Sequence, residues 1–120
     1  MPVSKEEHME VTGRDSITGL PKQITFSSSE AYEAIREPLG KIIGMLKQVM
    51  EEVPPELSSD IIDKGIVMSG GTATLRGFDR LITQETGVPA FVAEDAHRCV
   101  IKGIGIALEN IELYRTSIKR

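Results

Sequence analysis

The sequence predicts an α/β fold in which a β-hairpin is followed by helices and a partial sheet, and three observations carry that expectation. Residues 8–27 alternate apolar and polar side chains on either side of a polar, glycine-containing loop, as paired strands do. Behind them Tyr32, Ile35, Leu39, Ile42, Ile43, Leu46, Val49, Met50 and Val53 follow a helical repeat. Between Gly65 and Gly77 the period then changes, from the continuous apolar run Ile66-Val67-Met68 to the helical spacing of Leu75, Phe78, Leu81 and Ile82.

The first strand places Met9 and Val11 against Glu10 and Thr12, and the second carries Leu20, Ile24 and Phe26. Arg14-Asp-Ser-Ile-Thr-Gly supplies the polar and glycine residues of a hairpin loop. A two-stranded ribbon is marginal alone, so it must lie on something or extend a sheet. Met1 to Glu7 is polar and expected to be loose at its start. Ser27 and Glu30 have capping-box spacing before the long helix, with Ser28 and Ser29 as alternative caps. Pro38 removes a backbone donor inside that helix and predicts a kink or restart near Arg36. Pro54-Pro55 ends it, and Pro55 can open a short helix closed by Gly65.

Ile66 to Met68 reads as a strand buried on both faces. The helix that follows runs from about Leu75 to Thr86, with Gly87 placed to cap it. Val88-Pro-Ala-Phe-Val-Ala is a further strand, with Pro89 tolerated at its start or on an edge. Glu94-Asp95 turns the chain into a last helix from about Ala96 to Tyr114, in which Val100, Ile104, Ala107, Leu108 and Ile111 share a face. Gly103 and Gly105 weaken that helix by roughly 1 kcal/mol each, which predicts close packing against another backbone or a ligand. Thr116 to Arg120 is expected to fray. The order is β-β-α-α-β-α-β-α, and the strands at Ile66 and Val88 can be parallel neighbours.

The chain has 120 residues, room for one domain with a core. A net charge of −4 without a basic block gives no reason to expect nucleic acid as a partner. One cysteine, Cys99, excludes an intrachain disulfide and suits a reducing interior. No apolar run approaches bilayer-spanning length and the start lacks the apolar core of a signal peptide, so a cytoplasmic location is expected.

Gly70 and Gly71 follow the first sheet strand. Two residues without side chains let the backbone turn sharply and let a ligand approach the main chain, while amides of the following helix face the gap. A tight turn alone is the other use of such a pair. Neither GxxxxGK[ST] nor GxGxxG is present, so spacing does not name a ligand. Neither His8 nor His97 has a partner at metal-ligand spacing, and both read as exposed polar residues. Cys99 reads as a buried small hydrophobe. Glu94-Asp95 reads as a solvated pair, and Glu56, Asp60 and Asp63 as a solvated or partner-facing surface.

Met9-Glu-Val-Thr-Gly-Arg-Asp-Ser-Ile-Thr-Gly-Leu-Pro-Lys22, Pro54-Pro-Glu-Leu-Ser-Ser-Asp-Ile-Ile-Asp-Lys-Gly-Ile-Val-Met-Ser-Gly-Gly71, Leu75-Arg-Gly-Phe-Asp-Arg-Leu-Ile-Thr-Gln-Glu-Thr-Gly-Val-Pro89 and Ala93-Glu-Asp95 strongly resemble the MreB family of bacterial actin-like, rod-shape-determining proteins. The resemblance covers the chain from Met9 to about Asn110. It implies a fragment of an actin-like (ribonuclease H-like) ATPase lobe, with residues 1–53 part of the small subdomain and 54–120 the C-terminal part of the large one. It further implies an ATP-binding, filament-forming cytoskeletal function in bacterial cell shape. The alternative is a nucleotide-free actin-like interaction module that self-associates or binds filament ends.

By the same resemblance Gly70, Gly71, Thr72 and Ala73 correspond to the adenosine-binding loop, and the helix with Gly103 and Gly105 packs across from the nucleotide. Where the family has a third glycine followed by Ala-Leu-Leu, this chain has Thr72-Ala73-Thr74-Leu75, and a β-branched residue restricts the backbone there. The family's phosphate hairpins and magnesium carboxylates would lie before residue 1. The chain is thus expected to meet only the adenosine part of ATP, weakly if at all, to hold no Mg and to be no enzyme by itself. Expected partners are further copies or other MreB-like subunits in an oligomer or filament, with membrane contact only indirect, through filaments.

Overall fold

The computed structural model describes residues 5–118, so the expectations for Met1–Ser4, Lys119 and Arg120 lie outside the described residues. The chain divides into two compact units at Glu52/Val53.

In the first unit β1 (His8–Arg14) pairs antiparallel with β2 (Pro21–Ser27), Val11 opposite Ile24 and Met9 opposite Phe26. The loop is closed by Asp15, whose carboxylate accepts hydrogen bonds from the amides of Ile17 and Thr18 at 2.8 and 3.0 Å. Those backbone bonds, from Thr18 above all, hold its carboxyl below the usual carboxylate range.

Helix α1 (Ser28–Glu52) opens on a capping box. The Glu30 amide donates to Ser27 Oγ at 3.2 Å, and the Ser27 amide donates to Glu30 Oε2 at 2.9 Å. The helix does not restart near Arg36 but runs unbroken through Pro38. Ala34 and Pro38 are both exposed, so the carbonyl that loses its partner faces water and the helical path survives. Leu39 and Ile43, one turn apart, are its buried residues.

The second unit begins with α2 (Pro55–Lys64), with Pro55 in its first turn and Gly65 just past its end. Strand β3 (Ile66–Met68) pairs in parallel with β4 (Ala90–Val92), Val67 beside Phe91. Helix α3 (Phe78–Thr86) connects them, buries Phe78 and Ile82, and ends on left-handed Gly87. Thr83 ties this helix to the sheet, because its hydroxyl donates to the Asp79 carbonyl at 2.9 Å and accepts from the Ala90 amide at 3.0 Å. Met68, Ala73, Phe78, Ile82, Val88, Ala90 and Ala96 form the core.

Several expectations are corrected in this unit. β3 is not buried on both faces: Met68 is buried, but Val67 is 70% exposed and its neighbour Phe91 52%. Side chains alternate along a strand, and the described residues cover only one face of this pair. Helix α3 starts at Phe78 rather than Leu75, because Leu75 is extended (ψ 125°) and Gly77 is left-handed (φ 82°), which interrupts the helical path.

The last helix is two helices, α4 (Cys99–Glu109) and α5 (Ile111–Ile118), preceded by a 3-10 turn at Ala96–Arg98. At Asn110 (ψ 42°) the side-chain amide donates to the Ile106 carbonyl at 3.0 Å, which the Asn110 backbone also uses, and this local bond competes with helix continuation. Thr116 to Ile118 is helical rather than frayed. Val100, Ile104, Leu108 and Ile111 of the shared face are exposed. Among the described residues nothing lies within 4 Å of a Cβ built at Gly103 or Gly105, so no backbone of the described residues packs closely there.

Candidate functional site

β3 delivers the chain to Gly70, whose φ of 88° and ψ of 169° belong to a region open essentially to glycine alone. Gly71–Thr74 then forms a 3-10 turn, closed by the Thr74 hydroxyl donating to the Gly71 carbonyl at 2.6 Å. The amides beside the glycine pair therefore belong to this short turn and not to the expected α-helix, which begins only at Phe78.

A second layer fixes the loop. The Gly70 amide donates to the Ala96 carbonyl and the Ala93 amide to the Met68 carbonyl, each at 2.8 Å. Ala73 (4% exposed) and Ala96 (3%) are buried where the two 3-10 turns meet. Two methyl groups let the turns approach closely.

Of the four residues singled out from the sequence, Gly71 and Thr72 are exposed, Gly70 is half-buried and Ala73 is buried. Ala73 thus supports the loop from below and can offer a ligand only backbone. Above Gly70 a Cβ would meet nothing within 4 Å, so the glycine leaves open space over the main chain. Thr72 does not have a positive φ, so its branched side chain fits a backbone that needs no third glycine. The surface fits the approach of a flat apolar group to bare backbone.

The histidine that sequence spacing left unassigned stands beside this loop. A Cβ on Gly71 would lie 3.4 Å from His97 Nδ1 and 3.6 Å from Cε1, and the His97 side chain is exposed. No sequence signal links the two positions, because they meet only through the packing of the two turns. His8 is exposed, with Nε2 4.0 Å from Glu6. Cys99 is half-buried rather than buried, its thiol donating to the Glu94 and Asp95 carbonyls at 3.5 and 3.6 Å.

Asp95 is no solvated bystander. It adopts φ 52°, pairs with Lys102 at 2.6 Å and Arg98 at 2.9 Å, and is held below the usual carboxylate range by Lys102 first and Arg98 second. Glu56, Asp60 and Asp63 are exposed along α2. Among the described residues no group of three or more His, Cys, Asp or Glu is placed to hold a metal ion. No helix formed by the described residues is long and apolar enough to cross a membrane. In the first unit an open groove of about 470 Å³ lies on the hairpin between Val11, Arg14, Lys22 and Phe26.

The family model described as MreB/Mbl protein matches residues 1–116. The chain is 47% identical over 111 residues to the cell shape-determining protein Mbl of Bacillus cereus, covering 92% of this chain and 33% of that protein. It is 44% identical over 113 residues to the cell shape-determining protein MreB of Escherichia coli, covering 94% and 33%. The crystal structure of MreB5 of Spiroplasma citri bound to ADP superposes with a TM-score of 0.83 at 33% identity, over 92% of this chain and 34% of that one. The AMPPNP-bound structure of the same protein gives 0.83 at 32% identity, over 98% and 35%. The chain spans about a third of the length of the curated relatives it matches. With nearly all of its residues matched, the chain belongs to the MreB/Mbl family of actin-like, cell shape-determining proteins.

Proposed function

We propose that this chain is part of an MreB-like, ATP-binding and filament-forming cytoskeletal protein that controls bacterial cell shape, and that it contributes the adenosine-facing wall of the nucleotide cleft. Residues 1–53 belong to the small subdomain and 54–120 to the large one. Gly70, Gly71 and Thr72 present backbone to the nucleoside, and Ala73 holds them up from below.

The observation that carries this reading is the open space above Gly70 on a loop pinned from behind by Ala96. The Spiroplasma relative of the same fold was crystallised with ADP and with AMPPNP, which supports an adenine nucleotide as the ligand. The reading assigns the chain no hydrolysis of its own, because the phosphate clamps and magnesium carboxylates belong to the rest of the family's cleft. It places the protein in the cytoplasm, self-associated or assembled with other MreB-like subunits, and near membranes only through its filaments.

A second reading has its own support. Helix α4 exposes Val100, Ile101, Ile104, Ile106 and Leu108, and a helix apolar on several sides belongs inside a larger body. A nucleotide-free module that pairs with itself or with filament ends accounts for that surface equally. Titration of the purified chain with ADP separates the two. The first reading expects weak binding that Gly71→Val removes with the fold retained, and no ATP turnover even with magnesium. No binding favours the module, binding indifferent to Gly71→Val rejects residues 70–73 as the site, and turnover above a buffer control would show that the active site is misplaced.

A further inference from the structure

We propose that His97 is a specificity-determining residue of the nucleoside site, its imidazole forming one side of the slot and packing on the purine base; this rests on the adenosine reading of Gly70 and Gly71. Three observations converge on it. The ring stands in van der Waals range of the side-chain direction of Gly71, at 3.4 and 3.6 Å from the position a Cβ would take. Both residues are exposed, so a molecule laid on the glycine turn meets the ring without displacing core atoms.

The backbone around His97 is also fixed. Ala96 before it is buried and accepts the Gly70 amide at 2.8 Å. Arg98 after it donates its amide to the Asp95 carbonyl at 2.9 Å and its guanidinium to the Asp95 carboxylate at 2.9 Å. Among the described residues neither ring nitrogen is hydrogen-bonded. An aromatic ring held by its backbone, its nitrogens without hydrogen bonds among the described residues and its charge interaction being with Asp95, is suited to stacking on a flat base beside a side-chain-free turn.

The test is an NMR titration of the full chain with adenosine at millimolar concentration, on the wild type and on His97→Ala and His97→Phe. The expected result is that the His97 ring protons and the amides of residues 70–73 shift together, with one dissociation constant. His97→Ala should weaken binding by about tenfold while the amide spectrum stays dispersed, and His97→Phe, which keeps a flat ring, should restore most of the affinity. If the amides of 70–73 shift while the ring does not and His97→Ala binds as the wild type does, the role of His97 is overturned and the adenosine site stands. If adenosine shifts only residues away from 70–73, or none, the site and this inference fail together.

Discussion

A methyl group added at Gly65 or at Gly70 would meet quite different surroundings. Both residues have positive φ, 81° and 88°, so a side chain is strained at either. At Gly70 the space is empty, and Gly70→Ala should cost about 1–3 kcal/mol from backbone strain alone. At Gly65 the Cβ would stand 2.6 Å from the Pro89 carbonyl oxygen and 2.6 Å from the Phe91 ring. The ring can swing; the backbone oxygen, which accepts the Ile66 amide at 2.8 Å, cannot move without loosening the start of the sheet. Gly65→Ala should therefore destabilise the chain more than Gly70→Ala does. Urea unfolding of the two variants checks the order, and a larger loss at Gly70 would show that the loop, not the α2–β3 junction, is the tighter point. The glycine content of these turns was legible in the sequence; the crowding at one and the emptiness at the other were not.

At the scale of the element, short-range side-chain bonds decide where helices begin and how turns hold. Ser27→Ala removes the acceptor for the Glu30 amide, and the exposed start of α1 should lose about 1 kcal/mol, read as lower helicity and an earlier urea midpoint. The turn before α4 depends instead on charge. Lys102 and Arg98 lower the Asp95 carboxyl in the folded chain, so folding releases a proton more readily than the unfolded chain does. The stabilisation is then present above the ordinary carboxylate range and is lost as pH falls through the folded-state value of Asp95. Asp95→Asn keeps a residue tolerant of positive φ and removes only the charge. Its melting temperature should lie slightly below that of the wild type at neutral pH and converge with it in acid. A gap that persists in acid, or fails to shrink with added salt, would locate the effect in the backbone rather than in the ion pairs.

For the whole molecule the exposed apolar surface sets the expectation. Val67 and Phe91 lie side by side on an uncovered sheet face, and α4 presents Val100, Ile101, Ile104, Ile106 and Leu108 to solvent. Surfaces of this kind favour association, and a two-stranded parallel pair leaves edges that recruit other strands. Light scattering over a dilution series should show a dimer or larger assembly that dissociates on dilution. Ile101→Lys combined with Ile104→Glu should shift the population toward monomer with little loss of helicity, since both side chains are already exposed. A wild-type monomer at high concentration would show that this surface does not self-associate.

The sequence by itself determined the pieces whose causes lie within a few residues of one another. The hairpin follows from alternation around a loop that Asp15 closes, the α1 start from Ser27 and Glu30, α2 from Pro55 and Gly65, and the end of α3 from Gly87. The family resemblance was readable for the same reason, as ordered runs of adjacent residues. Only the tertiary structure decided which faces are covered: Val67 and α4 look like core in one dimension because periodicity records apolarity without recording a neighbour. It also decided that Leu75 and Gly77 delay α3, that Asn110 divides the last helix, and that His97 comes to stand beside Gly71. That last contact depends on two turns, far apart in sequence, packing through Ala73 and Ala96, and no spacing along the chain encodes which turns will meet.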